Sequence, residues 1–91
     1  MWWDEARPLY QAGKYAEAAD KGRELVDRHP DQPYLLFNTA CCESLAGRAT
    51  DAVEHLGMAI ELWDGCREMA TGDSDFDPIR DEPAFPSLVD R

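Results

Sequence analysis

The sequence is short of positive charge, of histidine and of long apolar runs. Nine Lys and Arg stand against nineteen Asp and Glu, for a formal net charge of −10. Such a chain repels polyanions, which argues against nucleic acid and anionic membrane as partners. No apolar stretch approaches the ~18–20 residues that span a bilayer. The opening Met1-Trp2-Trp3-Asp4 lacks the basic-then-apolar order of a signal peptide. Cysteine is scarce as well. Cys41, Cys42 and Cys66 are odd in number, two are adjacent, and no C-x-x-C occurs. That is neither a disulfide framework nor a zinc site, and a reducing, cytoplasmic setting is expected.

Chemistry-bearing patterns are missing too. There is no phosphate-cradling glycine loop, and Ser44 and Ser74 lack the glycines of a nucleophile elbow. Cys41 and Cys42 have no cationic neighbour in sequence to activate a thiolate. Of the two histidines, His29 adjoins Pro30 at a helix end and His55 is placed on an outward helical face. Asp73, Asp75 and Asp77 mimic the opening of a calcium loop. The sixth and twelfth places, where a glycine and a bidentate Glu are required, hold Pro78 and Ala84. The expectation is a chain that is not an enzyme and holds no cofactor and no metal.

What is present is a single small domain's worth of chain, 91 residues, with enough apolar content to fold. Acidity grows along it: six acids against five bases in residues 1–30, five against one in 31–63, eight against three in 64–91. Self-comparison then aligns Ala12-Gly13-Lys14-Tyr15-Ala16-Glu17-Ala18-Ala19 with Ala46-Gly47-Arg48-Ala49-Thr50-Asp51-Ala52-Val53, an offset of 34 residues. The same offset pairs Trp2 with Leu36, Trp3 with Phe37, Ala6 with Ala40, and Val26 with Ile60.

Each unit reads as helix, tight turn, helix. The first has a helix from about Trp2 to Ala12, a turn at Gly13, and a helix from about Ala16 to Arg28, broken by His29-Pro30-Asp31. The second opens at Pro33 with Asp31 as cap, runs over 34–46, turns at Gly47, and restarts at Thr50 or Asp51. Its second helix places Ala52, Val53, Leu56, Ala59, Ile60 and Trp63 on one apolar stripe. Ala6, Ala18, Ala40, Ala52 and Gly22 are small residues expected where helices cross.

The 34-residue period, Gly-x-Tyr-x-x-Ala from Gly13 to Ala18, the Phe37-Asn38-x-Ala40 run and Pro30 at a unit's end resemble the tetratricopeptide repeat (TPR) family. Leu9 and Glu43 depart from the usual aromatic, Gly22 from a large apolar residue, and Asp64 from the closing proline. The stretch from Asp73 to Phe85 resembles the ending of some bacterial arrays of this family. The resemblance implies an all-α fold: antiparallel helical hairpins stacked as a short TPR-like α-solenoid, with repeats at 1–32 and 33–63 and a capping segment at 64–91. In that cap Pro78, Pro83 and Pro86 forbid one long helix. Two short turns should present Phe76, Ile79, Phe85, Leu88 and Val89 to the core. Because Trp2 already lies inside the first helix, the chain reads as a C-terminal fragment or short form of a longer protein with another domain upstream.

The resemblance also implies that the first helix of each hairpin lines a concave side. Helical spacing then exposes Trp3, Arg7 and Tyr10 on one helix and Tyr34, Phe37, Cys41 and Ser44 on the other. Trp, Tyr and Arg are enriched in binding hot spots. This groove is expected to hold a protein partner's peptide or helix, as an interaction or scaffold module does. The tail filling it with Phe76 or Phe85 is the competing expectation. The alternative function is a structural appendage that forms a homodimer through Trp2, Trp3 and Trp63, or packs on an upstream, enzymatic domain.

Overall fold

Proline and glycine set most of the element boundaries. The computed structural model describes the backbone of residues 2–89 and the side chains of residues 3–89. A 3-10 turn over Trp2–Glu5 leads into α1 (Arg7–Gln11). The single helix expected over this stretch is therefore divided. Pro8 has no N–H to donate, so the α-helical ladder cannot run unbroken through it. Then follow α2 (Tyr15–Arg28), α3 (Pro33–Leu45), α4 (Ala49–Leu62) and α5 (Gly65–Gly72). A second 3-10 turn over Ser74–Ile79 and α6 (Ala84–Val89) complete the chain. Among the described residues there is no strand. No helix among them is long and apolar enough to cross a membrane.

The two hairpin turns are copies of one another. Gly13 and Gly47 take φ of 77° and 80°, the left-handed region that a side chain disfavours. Around each glycine the same pair of bonds closes the preceding helix. Lys14 N–H donates to the Leu9 carbonyl at 2.9 Å, and Arg48 N–H to the Glu43 carbonyl at 2.8 Å. Gly13 N–H donates to Tyr10 at 3.0 Å, and Gly47 N–H to Ser44 at 3.1 Å. This is the Schellman arrangement, which satisfies carbonyls that a helix end leaves open. The cap ahead of α3 differs from expectation: Gln32, not Asp31, holds the N-cap position, without a side-chain bond to the helix.

Burial repeats at the same offset. Ala6 and Ala40, Ala18 and Ala52, Trp3 and Phe37, and Val26 and Ile60 are all in the core. Short turns make successive helices neighbours. The central helix, α3, packs against both α2 and α4, and its remaining side meets the turn over Ser74–Ile79. A helix covered on three sides should be apolar all round rather than amphipathic. Accordingly every residue from Leu35 to Ser44 except Asn38 is buried.

Gly22 shows how closely α2 and α3 approach. A Cβ there would come within 2.5 Å of Thr39 Oγ1 and 3.2 Å of Thr39 Cβ. The Thr39 hydroxyl donates to the Leu35 carbonyl at 2.8 Å, which fixes its rotamer. Alanine in place of glycine normally strengthens a helix by about 1 kcal/mol. Here overpacking outweighs that gain. Gly22→Ala is expected to cost about 1–3 kcal/mol in urea unfolding, and adding Thr39→Ala should restore part of it. A single variant more stable than the parent chain contradicts this crossing.

Candidate functional site

The inner face of α3 carries a polar and aromatic cluster, and the chain's own tail lies on it. Asp73 starts this segment. Its Oδ1 accepts from Asp75 N–H at 2.9 Å and so caps the 3-10 turn that follows. The 3-10 turn that follows points Phe76 inward, where it is fully buried. The Phe76 ring meets Phe37 edge-on, with centroids 5.4 Å apart, and Phe85 at 5.7 Å. Arg80 lies over Phe85, 5.5 Å from the ring centroid, and donates to the Asp73 carbonyl at 2.8 Å and to Asp77 at 2.6 Å.

Polar contacts complete the attachment. The Ser44 hydroxyl donates to the Asp75 carbonyl at 2.7 Å. The Tyr10 hydroxyl donates to the Asp75 carboxylate, tying α1 to the tail. Cys41 Sγ lies 3.9 Å from Asp73 Oδ2. Phe76, Ile79 and Phe85 are buried as expected, and Leu88 and Val89 are half-buried against the core.

The seven residues expected to line an open groove therefore separate. Arg7 and Tyr34 are exposed. Tyr10 is half-buried with its hydroxyl on Asp75. Trp3, Phe37, Cys41 and Ser44 are buried, which corrects the expectation that they face solvent. For Phe37, Cys41 and Ser44 the reason is the tail, which meets them through Phe76, Asp73 and Asp75; the turn that carries Trp3 packs instead on α2 and α3. Of the three tryptophans expected on the surface, Trp63 is exposed, Trp3 is in the core, and the Trp2 side chain lies outside the described residues.

Cys41 Sγ and the Asp73 and Asp75 carboxylates lie within 4.8 Å of one another, close enough to share a cation. The protons already there work against it. Burial, reinforced by the Asp73 and Asp75 charges, pushes the Cys41 thiol far up, so the sulfur stays protonated. Burial likewise raises Cys42, to about 12. The Asp75 hydrogen bond holds the Tyr10 hydroxyl well above the ordinary phenol range. Tyr10 and Cys41 thus act as donors to Asp75 and Asp73.

Sequence reasoning missed a second site altogether. Glu43, on α3, is fully buried, and its Oε1 lies 2.6 Å from Nδ1 of His55 on α4. His55 is thus turned toward the core rather than outward. The other carboxylate oxygen, Oε2, has no hydrogen-bond partner. The hydrogen bond to Glu43 raises the His55 pKa against the opposing effect of burial. The signal that could have found the pair was Glu43 itself, a charged residue at the position that the 34-residue offset pairs with Leu9.

A pH prediction follows from the sign of that shift. A histidine with its folded pKa raised contributes stability fully present below its unfolded value, near 6.5. That contribution is lost as pH rises through the higher folded value. The urea midpoint should therefore fall as pH rises from 6.5 toward the thiol range. In this window the thiols and Tyr10, with ordinary values of 9.0 and 10.0, stay protonated in both states. Glu43→Gln should flatten the slope; an unchanged slope in that variant assigns the effect elsewhere. Comparison of the chain with protein-family models, with curated proteins and with solved structures finds no match.

Proposed function

We propose that the chain is a protein–protein interaction module, a short TPR-like array of two hairpins and a cap, whose inner face grips a peptide. The observation that carries this reading is the grip already made in cis. A phenylalanine is fully buried on Phe37, a hydroxyl of Ser44 holds a main-chain carbonyl, and Tyr10 holds a carboxylate. Each contact is of a kind that a partner's peptide could reproduce. The repetition of turn geometry and burial at the 34-residue offset supports the array. Three free, buried cysteines fit a cytoplasmic setting, and the acidic balance fits a protein rather than a nucleic-acid partner. The role is binding, without catalysis and without a cofactor.

The test is competition between cis and trans. A labelled peptide spanning residues 73–89 should bind the Phe76→Ala chain, whose own tail is loosened, and should bind the parent chain far more weakly. Where Phe76→Ala folds poorly, Ser44→Ala with Tyr10→Phe loosens the same segment, at about 1 kcal/mol for each lost hydrogen bond. If neither loosened variant captures the peptide, the inner face is merely core. The appendage reading draws its support from a different place: Tyr34, Met58, Leu62 and Trp63 are exposed apolar side chains.

A further inference from the structure

The tail lies on α3 in the manner of a bound peptide. Of residues 73–89 only Phe76, Ile79 and Phe85 are buried, and exposed residues separate them. In α3, by contrast, burial is nearly continuous. A few anchors set among near-neutral contacts is how interfaces distribute their binding energy. The segment also fixes its own shape. Asp73 Oδ1 caps the turn at Asp75 N–H, and Phe76 N–H donates to the Asp73 carbonyl at 3.2 Å. Arg80 reaches back to Asp77 and to the Asp73 carbonyl. Pro78 restricts the backbone further. A turn ordered from within costs less to bind.

What the helices contribute is a row of neutral donors. The Tyr10 hydroxyl meets the Asp75 carboxylate, the Ser44 hydroxyl the Asp75 carbonyl, and the Cys41 thiol the Asp73 carboxylate. Phe37 receives the Phe76 ring beside them. Residues 73–89 hold five acids and one base, Arg80. Yet among the described residues no ion pair joins the segment to the helices, and Arg80 with Asp77 is internal to it. Two adjacent residues are thus read together: Asp75 by its carboxylate and its carbonyl, Phe76 by its ring. A hydroxyl holds a carboxylate by a charge-assisted hydrogen bond, with no positive charge required.

We propose that the inner face recognises an acid–aromatic motif in a partner protein, of the form Asp-x-Asp-Phe folded as a 3-10 turn, for which the tail is the built-in competitor. The partner's second acid takes the place of Asp75 against Tyr10 and Ser44. Its phenylalanine takes that of Phe76 against Phe37, and its first acid that of Asp73 against Cys41. A basic motif would leave Tyr10 and Cys41 without a carboxylate to meet. This rests on the reading of the chain as an interaction module and adds the chemistry of the peptide that it takes.

The probe is the labelled 73–89 peptide, titrated by fluorescence anisotropy onto the full chain carrying Phe76→Ala. Asp75→Ala in the peptide should weaken binding about tenfold, the size of a hydrogen bond to a charged group. Phe76→Ala in the peptide should weaken it about thirtyfold or more, as for a buried aromatic anchor. The preference for Asp75 should vanish when Tyr10→Phe is added to the chain. Added salt should leave binding unchanged or strengthen it, because neutral donors face an acidic peptide on an acidic chain. Where the Phe76→Ala chain folds poorly, Asp73→Ala/Arg80→Ala removes the tail's internal cap and staple and leaves the inner face whole. Three results overturn the motif: equal binding of the parent and Asp75→Ala peptides, an Asp75 preference that survives Tyr10→Phe, or a steep loss with salt. In each of these a peptide still binds, so the module reading stands. Failure of every peptide to bind either loosened chain sinks both.

Discussion

Phe76→Ala should remove about 3–5 kcal/mol of unfolding free energy, the range for truncating a buried phenylalanine. At roughly 0.05–0.15 kcal/mol per residue the chain holds about 5–14 kcal/mol in total, so the variant should lose a large share of its stability. Two effects add. The ring's own burial is lost, and a cavity opens between Phe37 and Phe85, its two aromatic neighbours. At 25 °C the loss should appear first as release of the tail from α3, with global unfolding following on heating because both hairpins share that helix. Urea unfolding followed by circular dichroism measures the size of the effect. Hydrogen exchange at residues 74–79 distinguishes the two modes. A change below about 1 kcal/mol is the size of an ordinary surface substitution and is incompatible with a tail docked as described.

His55→Ala should be the second large effect, also about 3–5 kcal/mol, for a different reason. The substitution deletes little apolar packing. It leaves the Glu43 carboxylate buried with neither oxygen partnered, since Oε2 has no hydrogen bond even in the parent chain. An uncompensated charge in the interior costs far more than the pair contributed. The informative contrast is Glu43→Met, which removes the charge and keeps an adaptable apolar side chain of similar length. His55 keeps 16% side-chain exposure, so Glu43→Met should cost no more than about 1 kcal/mol, the size of the lost hydrogen bond. The double variant should resemble Glu43→Met alone. If His55→Ala and Glu43→Met are equally damaging, packing and not charge governs this site.

The hairpins were legible because their determinants are local. Gly13 and Gly47 sit where φ turns positive, and the alanines at the crossings have no side chain to hold the helices apart. Both facts are written within a few residues of the turn. Boundaries were less legible where two local preferences compete. Asp31 is a good cap by type, yet the chain enters α3 through Gln32 because Pro33 takes the first helical position. Pro8 divides the first helix, although it is tolerated in a first turn, because the residues before it adopt a 3-10 turn.

The inner face marks the limit of local reading. Helical spacing correctly groups Phe37, Cys41 and Ser44 on one side of α3, but spacing along one helix does not say what covers that side. Coverage depends on residues some thirty positions away. The Ser44–Asp75 and Tyr10–Asp75 bonds join parts of the chain with no periodic relation. Glu43 and His55 pose the same problem: twelve residues apart on separate helices, they look like two unrelated polar side chains until the hairpin closes.

The helices, the two glycine turns, the small-residue seam between the hairpins and the absence of any membrane-length apolar run follow from the order of residues alone. Each depends on propensity, φ preference or periodicity over one or two helical turns. That the tail lies on α3, that Glu43 is buried against His55, and that Tyr34, Met58, Leu62 and Trp63 stay exposed while most of the expected groove is covered emerges from long-range packing. These outcomes depend on which distant segments exclude water from one another, and that competition is settled by the packing of the whole chain at once.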